Sequence, residues 1–140
     1  MFSCFGKKDF ARIPEVEVGC AVIRREGKIL ITRRHLDSHL GGLWEFPGGK
    51  RLGGESLGRC LEREIWEELG IHIRTGRFLR RIDHRYPEKG VSLYFYQCEL
   101  LEGMPWSRGV GEFRWVRPFE LARYEFPPAD AEILKDLRRA

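Results

Sequence analysis

The stretch from Gly49 to Ile71, GKRLGGESLGRCLEREIWEELGI, constrains this chain more than any other. It closes on Glu64, Glu67 and Glu68. On an α-helix of about 3.6 residues per turn these stand at i, i+3 and i+4 and fall within an arc of roughly 100°. The three carboxylates therefore share one face. Like charges at this spacing weaken an isolated helix by about 0.2–0.5 kcal/mol per pair, so a helix that concentrates them needs a compensating cation. Oxygen-only ligands suit a hard divalent ion, Mg²⁺ or Mn²⁺. Mg²⁺ characteristically keeps several waters and takes substrate phosphates at its remaining positions.

The same helix carries a second register. Leu61, Ile65 and Leu69 repeat at i+4 and form an apolar stripe that can pack on a sheet beside the acidic face. Ser56 is placed to cap the helix, Arg59 at the third helical position excludes a capping box, and Gly70 is placed as the C-terminal stop. A solvated acidic helix behind a glycine-rich turn is the plain structural alternative.

A chain of 140 residues predicts one domain, with residues 16–140 as its body and residues 1–15 as a short basic and aromatic leader. Charged residues at 33% and hydrophobic ones at 42% describe a globular protein. No apolar run is long enough to span a bilayer and the first fifteen residues lack a signal-peptide core, so the expectation is a cytoplasmic protein without a membrane partner. The net charge of +4 is scattered, which favours a small polyphosphate over stable nucleic-acid binding. Cys4, Cys20, Cys60 and Cys98 show no CxxC spacing, and three of them sit in apolar patterns, so reduced thiols are expected. His35 and His39 stand at i, i+4 without a third ligand nearby, and no zinc site is predicted.

Alternation at Val16, Val18, Cys20 and Val22 predicts a strand, and Gly27 a turn into a second strand over Lys28 to Thr32. The polar connection Arg33 to Gly42 follows, and one of its two leading arginines can clamp a phosphate bidentately. Trp44 and Phe46 have two roles open to them, core packing or a flat surface for a base. After the helix, Ile71 to Asp83 and Val91 to Leu100 read as strands about a turn over Tyr86 to Gly90, with Leu93, Phe95 and Cys98 as core. Glu102 to Glu112 reads as a mobile glycine-containing loop, and Phe113 to Val116 as a short strand. Pro118 to Tyr124 predicts a helical turn. The last helix carries an Ile133, Leu134, Leu137 stripe with Asp130 in its first turn, where interaction with the helix dipole suffices to explain an aspartate.

Gly49, then five residues, Glu55, then seven residues, then Arg63-Glu64-Ile65-Trp66-Glu67-Glu68-Leu69-Gly70-Ile71 resembles a complete Nudix box. The segment Trp44 to Lys50 is similar to the approach to that box in the MutT-like branch of the Nudix hydrolases. The resemblance runs from about Val18 to the final helix. It implies an α+β fold, a mixed β-sheet packed between α-helices as an α/β/α sandwich. It implies an enzyme, monomer or homodimer, that cleaves a nucleoside triphosphate such as 8-oxo-dGTP to the monophosphate and pyrophosphate. A (d)CTP or 5-methyl-dCTP pyrophosphohydrolase and a nucleotide-sensing module without catalysis are the rival readings. On this resemblance the Gly48 carbonyl and Glu64, Glu67 and Glu68 hold Mg²⁺ or Mn²⁺, Arg63 and Glu55 support the box, and Glu64 or Glu67 acts as the base. The resemblance also implies that Arg34, His39, Glu45, Phe46, Pro47, Gly48 and Asp130 bind the substrate. The chain departs from the branch in two places. The loop that carries a further metal-side glutamate there is shorter here and offers Glu112, and an aspartate, Asp130, stands where the branch reads the base with asparagine.

Overall fold

Strand β1, Glu15–Arg25, is the axis of the sheet. A computed structural model describes residues 15–139, so the expected leader lies outside the described residues apart from Glu15. Gly19 through Ile23 of β1 are all buried, because both faces of this strand are covered. Its turn residues Glu26 and Gly27 both take positive φ, 50° and 78°, the geometry of a tight hairpin, and lead into β2, Lys28–Arg33.

Five further strands complete a seven-stranded sheet. They are β3 (Trp44–Glu45), β4 (Gly48–Lys50), β5 (His72–Tyr86), β6 (Lys89–Glu102) and β7 (Glu112–Val116). β6 runs parallel to β1 from Glu15↔Gly90 to Arg24↔Glu99, while β5 and β6 form a long antiparallel hairpin. The other side of β1 is divided. β4 pairs with it at Val18 to Cys20, and β2 pairs with it near Arg24 and Arg25. Across the division the Ala21 amide donates to the Pro47 carbonyl at 2.8 Å.

Helix α1, Leu57–Leu69, lies on one face, over a core of Ala21, Ile23, Leu30, Leu61, Ile65, Leu69 and Ile73. Helix α2, Ala131–Arg139, lies on the other, over Cys20, Val22, Ile29, Ile31, Phe95, Ile133 and Leu137. Residues alternate along β1 between the two cores, as the strand pleat requires. This is the mixed sheet between helices that the sequence led us to expect. Cys20, Cys60 and Cys98 are buried free thiols. No helix among the described residues is long and apolar enough to cross a membrane.

Three local expectations are corrected. β1, β5 and β6 extend past their expected ends, because the added segments are held by pairing with neighbouring strands rather than by their own alternation. Asp130 closes a 3-10 turn, Pro128–Asp130, just before α2 instead of standing in its first turn. The segment between β6 and β7 is tied down. The Trp106 amide donates to the Leu69 carbonyl at 3.1 Å, and the Arg108 and Gly109 amides to the Glu68 carbonyl at 3.1 and 3.0 Å. Carbonyls at a helix C-terminus lack partners within the helix, and this loop supplies them.

Candidate active site

α1 is bounded as the sequence indicated. Ser56 is extended, with φ −77° and ψ 164°, and its hydroxyl accepts the Arg59 amide at 3.1 Å. Gly70, at φ 68°, closes the other end. Arg63 ties this helix to the loop before it, donating to Glu55 at 2.7 and 3.1 Å and to the Lys50 carbonyl at 3.3 Å. The same guanidinium reaches Glu64 at 2.9 Å and Glu67 at 3.2 Å. The bonds from Arg63, and then the Leu52 amide, hold the Glu55 carboxyl down to about 2. Those to Glu55 and Glu64 raise the pKa of Arg63 in turn.

A cleft of about 330 Å³ opens beside the division in the sheet. Its apolar part is made by Val18, Cys20, Phe46, Leu93 and Phe95, with the Phe46 and Phe95 rings edge to face at 5.9 Å and Phe126 behind Phe46 at 5.2 Å. Phe46 is buried in the core and also lines the cleft. Trp44 is core, edge to face with Tyr124 at 5.2 Å.

Asp130 lines this cleft and is only 6% exposed. Burial first, and then the charge of Glu45, push its carboxyl up to about 7. Its backbone amide closes the 3-10 turn onto Pro127 at 3.0 Å, which leaves the side chain to the cleft. Arg34, also on the cleft, donates to the His39 carbonyl at 2.7 Å and to Glu45 at 3.2 Å. Burial raises the pKa of Glu45 and Arg34 opposes the shift. His39 stands at the rim, its ring edge to face with Tyr86 at 5.7 Å.

Glu64 and Glu68 line the same cleft, as do Gly48 and Gly49. Burial, then the charges of Glu64 and Glu45, push Glu68 up to about 8. A side chain at Gly48 would run into the Gly19 carbonyl, so only glycine brings β4 this close to β1. The cleft therefore joins Arg34, His39, Glu45, Phe46, Gly48, Glu64, Glu68 and Asp130. It does not include Pro47, whose carbonyl is spent on Ala21, or Glu67, which is 55% exposed and bound to Arg63. Glu112 is outside as well, paired with Arg33 at 3.0 Å and Arg114 at 3.5 Å.

Among the described residues no three acidic, histidine or cysteine side chains stand together as a ready metal cage. The donors still fit a hard divalent cation in kind. Glu64 and Glu68 offer carboxylate oxygens, the charge of Glu64 bears on Glu68, and the bare α-carbon of Gly49 leaves the Glu64 carboxylate room against the backbone. Sequence reasoning missed Cys20, Tyr86 and Lys89 as cleft residues, and took Leu93 and Phe95 as core alone. Outward alternation on β1 and β6 marks the faces of these strands, but which face is roofed depends on α2.

The NUDIX domain model matches residues 19–136, and the chain belongs to the Nudix family. It is 32% identical over 126 residues to an 8-oxo-dGTP diphosphatase of Escherichia coli K12, covering 89% of this chain and 98% of the relative. A CTP pyrophosphohydrolase of the same organism is 33% identical over 120 residues, covering 86% and 89%. The solved structure of a MutT protein from Methanosarcina mazei Go1 superposes with a TM-score of 0.79 at 28% identity, covering 90% of this chain and 94% of the other. Within the family the chain is a MutT-like Nudix hydrolase. Enzymes of this family generally depend on a divalent metal.

Proposed function

We propose that this chain hydrolyses a modified purine nucleoside triphosphate, 8-oxo-dGTP foremost, to the monophosphate and pyrophosphate. The carrying observation is that one cleft brings together the aromatic pair Phe46 and Phe95, the buried protonatable carboxyl of Asp130 and the box carboxylates Glu64 and Glu68. The base would lie against Phe46 with its polar edge toward Asp130, and the triphosphate would run past Arg34 toward Glu64 and Glu68. A protonated Asp130 donates from one oxygen and accepts at the other, as the asparagine of the branch does through its amide. The relatives named 8-oxo-dGTP diphosphatase support this substrate.

Gly48, Glu64, Glu67 and Glu68 are the proposed holders of Mg²⁺, with Mn²⁺ as a substitute, once Glu67 turns from Arg63. A bound divalent ion would neutralise phosphate charge and acidify a water. The water oxygen attacks the β-phosphorus, the bond from that phosphorus to the bridging oxygen of the α-phosphate breaks, and the nucleoside monophosphate leaves. The water proton passes to a box carboxylate. Glu64, on the cleft, is better placed to take it than Glu67. The setting proposed is the cytoplasm, with the enzyme a monomer or homodimer that binds no nucleic acid stably.

A cytosine nucleotide is the second reading. An ionised Asp130 would accept from an exocyclic amine, and the CTP pyrophosphohydrolase relative supports it. Pyrophosphate release with Mg²⁺ from 8-oxo-dGTP, dGTP, dCTP, CTP and 5-methyl-dCTP separates the two. A kcat/KM for 8-oxo-dGTP at least tenfold above the rest is expected. Higher turnover of the cytosine nucleotides would replace the first reading by the second.

A further inference from the structure

The guanidinium of Arg108 is held between two indoles, 5.2 Å from the centre of the Trp66 ring and 5.4 Å from that of Trp106. Trp66 lies on α1 one residue before Glu67, and its other face stacks on His72 at 4.6 Å and 12°. Trp106 packs over Gly70, where any side chain would collide with its indole. Arg108 forms no ion pair among the described residues, so its charge is committed to the two rings and to the negative end of α1.

This stack fixes the loop onto the end of the helix, at Glu68 and Leu69. The amides of Arg108 and Gly109 both donate to the Glu68 carbonyl, and a side chain at Gly109 would lie 3.4 Å from the α-carbon and Cγ of Glu68. Val110, next along, is buried in the core under α1, and the Gly111 amide donates to the Arg33 carbonyl at 2.8 Å. The loop contributes no carboxylate to the cleft, because Glu112 is engaged with Arg33 and Arg114. Glu68 is instead gripped from behind along its backbone.

We propose that Arg108 is a positioning residue: clamped between Trp66 and Trp106, it holds the loop amides on the Glu68 carbonyl and so aims the Glu68 carboxylate at the divalent cation. The inference rests on the reading of Glu68 as a cation ligand. Partners behind metal ligands commonly contribute about 10–100-fold in affinity, and the loss of this one belongs in that range. Lysine keeps the charge but not the planar group that stacks on two rings, so Arg108→Lys would recover only part of the loss.

The test is Mn²⁺ binding to the nucleotide-free protein, followed by the electron paramagnetic resonance of free Mn²⁺, for wild type, Arg108→Ala, Arg108→Lys, Trp106→Ala and Glu68→Gln. Amide hydrogen exchange at residues 108 and 109 reports whether the strap has opened. Expected are a Kd at least tenfold weaker in Arg108→Ala and Trp106→Ala, faster exchange at the two amides, and an intermediate Kd in Arg108→Lys. In turnover, kcat falls with KM for the nucleotide within twofold. Wild-type Mn²⁺ affinity in Arg108→Ala despite fast exchange at these amides, or unchanged exchange, would overturn the proposal while leaving Glu68 as a ligand. Wild-type affinity in Glu68→Gln would overturn the ligand reading itself, and the aiming role with it. Trp106→Ala decides the same questions should Arg108→Ala not fold.

Discussion

Gly49 lies against the carboxylate of Glu64, so close that a methyl group on its α-carbon would sit 2.5 Å from Glu64 Oε1. The Cys60 thiol donates to the carbonyl of the same glycine at 3.4 Å, fixing the backbone from the helix side. An added side chain cannot displace this backbone, but it can displace the end of a flexible glutamate.

Gly49→Ala therefore separates activity from stability. Glu64 swings out of the cleft, and we expect kcat to fall about 100-fold, an effect of the size seen when a single transition-state contact is lost. The melting temperature should drop by only about 2–4 °C, the equivalent of about 1 kcal/mol in a domain near this size. Near-wild-type turnover in a folded Gly49→Ala protein would show that the position of Glu64 is not critical.

Asp130 gives the fold a pH dependence of unusual sign. Its carboxyl titrates at about 7 when folded against an ordinary 3.8, so the folded state binds the proton more tightly than the unfolded one. Stability on this account is greatest below the ordinary value, declines as pH rises through the interval between the two, and levels off above about 7. Asp130→Asn removes the titration. Near pH 8 the variant should be the more stable protein by a few kcal/mol at most, at about 1.4 kcal/mol for each pH unit that separates the folded and unfolded values, and the advantage should vanish near pH 4. Parallel melting curves from pH 4 to 8 would contradict the buried-carboxyl account. If the protonated form reads 8-oxo-dGTP, KM for that substrate rises above pH 7 in wild type and stays flat in the variant.

Glu55 behaves in the ordinary direction. Its pKa falls from 4.5 to about 2 in the folded protein, so the stability it brings is complete above 4.5 and is lost as pH falls toward 2. Glu55→Gln should flatten that acid limb in a melting series. Because Arg63 also binds Glu64 and Glu67, Arg63→Ala should do more, loosening the loop before α1 and lowering kcat at least tenfold at neutral pH. An Arg63→Ala enzyme with unchanged kcat would reduce this cluster to a surface ion-pair network.

How much of this was legible follows from how local each feature is. α1 was readable nearly to the residue, because its acidic face, apolar stripe, Ser56 cap and Gly70 stop all act within a few residues of one another. β3 and β4 were not, since strands of two and three residues carry no periodicity and exist only through pairing with β2 and β1. Asp130 was found, but the burial that sets its protonation comes from elements far apart in the chain, as do the places of Tyr86 and Lys89 in the cleft. The loop before β7 looked mobile by composition. What holds it are backbone amides and two tryptophans, neither of which leaves a pattern in sequence.

Glu112 shows the same limit in a carboxylate. By position it was the candidate to replace a metal-side glutamate in the loop before β7, yet its oxygens are taken by Arg33 and Arg114 at the start of that strand. Arg33 is itself fixed by donation to the Gly42 carbonyl at 2.9 Å and lies 5.8 Å from the centre of the Trp44 ring, so the pair belongs to the core margin rather than to the cleft. Half-exposed ion pairs of this kind contribute about 0–1 kcal/mol. Glu112→Gln should accordingly keep kcat and the Mg²⁺ concentration for half-activation within about threefold of wild type, whereas Glu68→Gln should change both by more than tenfold. A Glu112→Gln enzyme with a Mg²⁺ requirement shifted as far as that of Glu68→Gln would mean that the strand end opens during turnover and delivers this carboxylate to the ion.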